Sequence, residues 1–396
     1  MRTVSVYRLA TAIAFTGASS VAAQASFSVR AENALPIARA DETIAMPWKD
    51  VVAHIASAKP GEVRVRGAAG DEIISQAVDN DGDGTVDELL FQSSFSPSEA
   101  RQFVVEAGHA TAMPAKIRVF AMHTDPRDDV AWESDRIAYR IYGQGLWKVD
   151  SLLSSGVDVW VKRVRDPIVD KWYKKGHDEY HHDNGEGADF FDVGESLGAG
   201  GTGIWRGDKL YRAYNFKTWR IIANGPVRTI FELQYQPWDA GGLRVSETKR
   251  VSLDAGQNLN HVVSTFRAEG AGAPGDIPWV TGLVKRKGVV GLESKAQPWA
   301  WLTEWGPVLP KDGGHGDLGI AVMLPRDAVV DWKETSDHYF AVSRARSGEP
   351  VSYWTGAGWT DSGDFRDVRD WWTYLDQWAL RLSAPIKLTL EPMRKP

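Results

Sequence analysis

The chain of 396 residues contains no cysteine, which excludes disulfides, thiolate metal centres and a cysteine nucleophile. Beyond the N-terminus no run reaches the roughly 18 uninterrupted apolar residues of a spanning helix, so no membrane span is expected. Positive charge is in deficit: 46 basic residues face 52 acidic ones, the formal net charge is -6, and no Lys/Arg block occurs. Nucleic acid is therefore not an expected partner. The usual nucleotide and nucleophile signatures are missing too. The Gly-rich stretch from Gly194 to Gly203 fails GxGxxG in order, and neither GxxxxGK[ST], GxSxG nor HExxH occurs. Composition is otherwise that of a folded protein, with 43% hydrophobic and 25% charged residues, so overall disorder is excluded.

What is abundant is tryptophan and glycine, at 18 and 38 residues. Only Trp48 lies before Trp132, so the tryptophans belong to the later part of the chain. A buried indole needs a partner for its N–H, and its flat face suits either a thick core between sheets or stacking on sugar rings. Trp172, Trp205 and Trp359 are the candidates for sugar contact.

The N-terminus reads as a secretory signal. Arg2 and Arg8 precede an apolar run from Leu9 to Phe15 and a small-residue end at Ser19 to Ala23. Residues 1–23 are thus assigned as a signal peptide, and the mature chain as periplasmic or secreted. Losing the two arginines takes the net charge from -6 to -8.

The mature chain reads mainly as strands. Period-two alternation marks Glu62 to Gly67, Lys116 to Phe120 and Arg136 to Tyr142. Asn224-Gly225 reads as the turn of a hairpin between Arg220–Ala223 and Val227–Tyr235. Further strands are expected at 244–253, 260–267, 318–324, 338–344, 351–354 and 386–390. The regular turn spacing predicts antiparallel sandwiches rather than βαβ units. One long helix is expected from Asp364 to Leu382, where apolar residues recur at helical spacing, and a short one over 48–58. The expected fold class is mainly β: a small β-sandwich-like domain over 24–125, then a large antiparallel β-supersandwich over 126–396, with the boundary near Pro126.

Asp79, Asp81, Asp83 and Asp87 sit at positions one, three, five and nine of a loop with the spacing of an EF-hand start. Position twelve is Leu90 rather than glutamate, so Asp87 or Glu88 would have to close it. The expectation is a structural Ca²⁺ site, against a metal-free Asp/Gly turn. No organic cofactor is expected.

The densest proton-transfer segment runs from Asp170 to Asp189 and holds His177, His181 and His182 within six positions. Three chemistries fit. β-Elimination on a uronic acid needs a base, an acid and a partner for the carboxylate; His181 or His182 would be base, Tyr180 acid, and Arg136 or Arg220 the clamp. Glycoside hydrolysis needs two carboxylates, drawn from Glu133, Asp135, Glu179, Asp183, Glu186 and Asp189. A His/carboxylate metal site would use His177 and His181. The bland alternative is a solvated polar loop.

Several stretches together are familiar: Trp132 to Asp135, His181 to Gly187, Gly200 to Trp205, Ala223 to Arg228, Ser246 to Lys249, Asp254 to Leu259 and Asp79 to Phe91. As a set they resemble the domain of unknown function 4861 family, over nearly the whole mature chain. The resemblance implies a secreted bacterial protein of the kind found with pectin- and uronate-degrading enzymes. It also implies a galactose mutarotase-like supersandwich, and it assigns no catalytic residue. The expected partner is a polysaccharide or oligosaccharide. Lyase, hydrolase and non-catalytic glycan binder all remain open on the sequence.

Overall fold

The computed structural model describes residues 26–113, 116–125, 127–148, 152–270, 275–293, 298–308 and 314–392. Residues 1–23, expected to be a signal peptide, and Pro126, the expected boundary, lie outside the described residues. Among the described residues no helix is long and apolar enough to cross a membrane.

The architecture is mainly β, built from antiparallel sheets. The N-terminal part packs two of them. One is five-stranded and includes Ser26–Glu32, Val63–Gly67 and Ala100–Ala107; the other joins Arg39–Pro47, Glu88–Phe95 and Ser75–Val78. Alternate residues such as Phe27, Val29, Phe91 and Phe103 meet between them as one apolar cluster. The edge of the first sheet is closed by the strand Lys387–Pro392, which pairs with Phe27–Glu32. The C-terminus thus returns to the sheet of residues 24–125 rather than staying with the body of 126–396. Its sequence, KLTLEP, alternates but does not say which sheet it joins.

The large body faces an eight-stranded sheet, running from Thr218–Asn224 to Val289–Glu293, with two five-stranded sheets. Of the long hairpin strands, Arg244–Asp254 buries every second residue, whereas Arg228–Asp239 is buried on both faces from Thr229 to Leu233; Phe231, Leu233, Val245 and Val251 point into the main core. The helix Val368–Ser383 lays Trp371, Leu375 and Trp378 on the outside of the eight-stranded sheet, against Trp301, Trp305 and Met323. It starts four residues later than the periodicity suggests. Asp367 is its N-cap and accepts the amides of Arg369 and Asp370.

The sheet that positions the site has five strands, in the order Gly187–Ala188, Asp158–Lys162, Ala138–Tyr142, Asp129–Ser134, Val119–Thr124. Its three central strands are buried on both faces. One face sends Val130, Trp132, Tyr139, Ile141, Val159 and Val161 into the main core. The other is covered by the helices Val169–Lys175 and His177–Tyr180, separated at Gly176 with φ 105°. Because side chains alternate, that covered face carries a row of charged and aromatic residues instead of a second aliphatic core.

Candidate active site

Cross-strand register assembles the centre. Arg140 sits opposite Asp158, and Tyr142 opposite Asp129. The Arg140 guanidinium donates to Asp158 at 2.8 Å, to Asp189 at 2.7 Å, to the Tyr142 hydroxyl at 3.0 Å and to the Tyr180 hydroxyl at 3.3 Å. It also lies over the Trp160 and Tyr180 rings, at 5.0 and 5.5 Å. One buried cation therefore serves two buried carboxylates. Burial and the neighbouring Asp158 push the Asp189 carboxyl well above the ordinary range. Burial also raises Tyr142 and Tyr180, so both phenols keep their protons. One strand further, burial lifts Asp129 to about 6, and Asp129 accepts from the Tyr173 hydroxyl at 3.1 Å.

The two helices bring the imidazoles to this centre. His181 Nδ1 lies 3.0 Å from the Asp189 carbonyl oxygen, so it carries the proton and leaves Nε2 as the basic atom. Burial lowers its pKa, which favours the neutral ring. His177 Nε2 stands 3.4 Å from His181 Nε2. Next to these rings lie two cavities that share His177 and Arg127. One, of about 360 Å³, is lined by Arg140, Tyr142, His181 and Asp189; the other, of about 500 Å³, by Tyr173, Tyr180 and His123. Arg127 is half-buried and, among the described residues, has no ion-pair partner. It is a cation available to a ligand at the junction of both cavities.

The residues singled out in the sequence fall into three groups. His177, Tyr180, His181 and Asp189 converge here. His182 lies on the same turn and, like His177 and His181, is exposed, but it turns Nδ1 to the Asp178 carbonyl at 2.7 Å. Asp183 pairs with Arg163, and Glu179 is exposed. Glu186 pairs with Lys171 and accepts from the Trp172 indole at 3.3 Å; the Lys171 contact holds its carboxyl below the usual range, and hence ionised.

The second group is committed elsewhere. Glu133 is buried, 2.5 Å from the Lys162 ammonium, and accepts the amides of Ile168 and Val169 at the start of the first site helix. Asp135 holds Arg118 and the Gly256 amide. Arg136 donates to Asp364 at 2.8 Å and reaches Asp41 at 3.6 Å. Arg220 donates to the carbonyls of Asp81 and Gly82. Trp172 is buried against Trp160, and Trp359 is fully buried with its indole on the His315 carbonyl.

The third group lies apart. Trp205 is half-buried on the wall of a neighbouring cavity of about 610 Å³. In the acidic loop, oxygens of Asp79, Asp81 and Asp87 come within 4.8 Å of one another, without Asp83. That is the one group of three metal-type side chains among the described residues, so His177 and His181 have no third partner of that kind.

Sequence reasoning passed over Arg127, Arg140, Tyr142 and Asp158. The signal was present: alternation from Arg136 to Tyr142 places residues 138, 140 and 142 on one face, and a charged residue in the middle of a doubly buried strand needs a buried partner.

The comparisons agree with this picture at the level of family and fold. The profile of the domain of unknown function DUF4861 matches residues 31–388. An uncharacterized protein P7 of Formosa agariphila is 30% identical over 384 residues, covering 92% of this chain and 93% of that protein. A solved structure of a glycosyl hydrolase family 38 protein from Enterococcus faecalis superposes with a TM-score of 0.50 at 10% identity, over 94% of this chain and 48% of that one. An α-mannosidase of the same species gives 0.45 at 8% identity, over 94% and 46%. The chain spans about half the length of these solved structures. Fold and matched sequence lead to one conclusion: the chain belongs to the DUF4861 family.

Proposed function

We propose that this is a secreted carbohydrate-active enzyme that cleaves uronic-acid-containing glycans by β-elimination. The observation that carries the reading is the junction at Arg127. A guanidinium with no ion-pair partner among the described residues, a neutral imidazole and a protonated phenol all line the same pair of adjoining cavities. Elimination asks for those three functions.

In this reading Arg127 binds the uronate carboxylate and stabilises the charge that spreads into it. His181 Nε2 takes the C5 proton. The C4–O4 bond breaks, C4=C5 forms, and the leaving O4 takes the Tyr180 proton. Arg140, already against the Tyr180 oxygen, stabilises the phenolate until it is reprotonated. Asp189 is a positioning residue, because its carbonyl fixes the His181 tautomer. Hydrolysis is less well supported: Glu186 is held ionised, Glu133 is sealed under a helix, and Asp189, although burial raises its carboxyl, is buried against the Arg140 guanidinium. The direct test is the absorbance of an unsaturated uronate, followed with reducing ends on polyuronate substrates. His181→Ala and Arg127→Ala are expected to abolish both signals together.

The acidic loop is proposed as a structural Ca²⁺ site formed by Asp79, Asp81 and Asp87. Its support is the convergence of those oxygens and the loop's place in the fold. Through the carbonyls of Asp81 and Gly82 the loop docks on Arg220 of the eight-stranded sheet. Calcium would neutralise the three carboxylates and stiffen this bridge. Addition of Ca²⁺ is expected to raise Tm in the wild type and not in Asp79→Ala. An unchanged wild-type Tm would rule out the site.

A further inference from the structure

We propose that the cavity of about 610 Å³ beside the His181 site is a subsite for a neutral sugar. The substrate is then a mixed glycan, in which a uronate at Arg127 is flanked by uncharged residues. This rests on the glycan-processing reading above. The cavity adjoins the His181 cavity, and the two share Asp192, Val193 and Gly194 as a common wall. The three cavities therefore follow one another along the surface, with His181 on the middle one and Tyr180 on the far one.

Its lining has the chemistry of neutral-sugar recognition. Trp205 is half-buried, anchored on Phe340 with ring centroids 5.1 Å apart, and forms part of the cavity wall. That is a fixed apolar platform for the C–H face of a pyranose. Around it stand the carboxylates of Asp192, Glu195, Asp208 and Asp337, facing Lys209 and Arg212. Four negative groups against two positive ones disfavour a second uronate, whereas ionised carboxylates accept strongly from sugar hydroxyls. Arg212 is only loosely engaged, 3.9 Å from Glu195, and can donate. The back wall is rigid: His338 Nε2 accepts the Leu197 amide at 3.1 Å, and the strands Ala199–Arg206 and Lys209–Arg212 form a closed hairpin.

The experiment is a binding titration on full-length mature protein carrying His181→Ala, so that nothing is cleaved. The probes are a homogeneous galacturonate oligosaccharide and one of equal length alternating a uronate with a neutral sugar. Adding Trp205→Ala is expected to weaken the alternating probe about tenfold and the homogeneous probe less than about twofold. Glu195→Gln with Asp337→Asn, both exposed, gives the same selective loss without touching the core. Equal loss for both probes, no loss, or no binding of the alternating probe would overturn the subsite. Arg127→Ala reports on the other reading. If it leaves both probes unaffected while Trp205→Ala remains selective, the uronate site falls and the neutral subsite stands.

Discussion

Arg140 and Arg127 are neighbours with opposite duties. Arg140 is spent on two buried carboxylates and two phenols; Arg127 has none of these and waits at the junction of the cavities. Arg127→Ala should therefore cost turnover and substrate binding while leaving Tm within a degree or two. Arg140→Met should cost about 3–5 kcal/mol of stability, because it strands Asp158 and Asp189 in the interior. Glu133 sorts the two classes further. If it only neutralises Lys162 and caps the first site helix, Glu133→Ala lowers stability by a similar amount, and the folded fraction keeps its kcat. The pH profile follows from His181. Its pKa is lowered by burial, so the acid limb of kcat/KM should have its midpoint below the ordinary value of 6.5. A midpoint above 6.5 would show a different base.

At the scale of elements, much of this was legible from the chain. Period-two alternation marked Arg244–Asp254, because it has one face in the core and one turned away from it. The C-terminal helix was legible because its apolar stripe covers a sheet. Its start was missed because Asp364 and Phe365 precede the cap, and Asp367, not Asp364, accepts the first free amides. Asp367→Ala should lower stability by about 1 kcal/mol. The site was half legible. A cluster of histidine and tyrosine within a few residues can be seen in one segment. The strand residues beneath it come from 127 to 158, and only register brings Arg140 opposite Asp158. Of the arginines named from sequence, Arg136 lies in the turn before Ala138–Tyr142 and Arg220 on a strand, and the structure commits them to Asp364 and to the acidic loop. Nothing local distinguishes an arginine that holds the fold from one left for a ligand.

For the whole molecule, the return of Lys387–Pro392 to Ser26–Glu32 ties the first and last described strands into one sheet. The N-terminal part and the large body are then stabilised together, and a single thermal transition is expected. Buried groups of both kinds, histidines and carboxyls, contribute to its pH dependence. His261 and His338 are held at about 4 by burial, below the ordinary 6.5. Between those values each of these histidines binds its proton in the unfolded chain and not in the folded one, so their contribution to stability falls as pH drops from 6.5 towards 4. Asp129, raised to about 6 from 3.8, works the other way, as do the buried carboxyls of Asp189, Glu133 and Glu304, which burial also raises. His338→Gln should flatten the decline, and Asp129→Asn should steepen it, in thermal melts across that window.

The central claim is that His181, Tyr180 and Arg127 act on a uronate by elimination. The most direct measurement digests a mixed uronate–neutral-sugar polysaccharide with purified mature protein, recording unsaturated-uronate absorbance and reducing ends in the same samples. The account predicts that both rise together, one double bond for each new end, and that both vanish in His181→Ala. Reducing ends that appear without the absorbance would contradict it and return the chemistry to a pair of carboxylates.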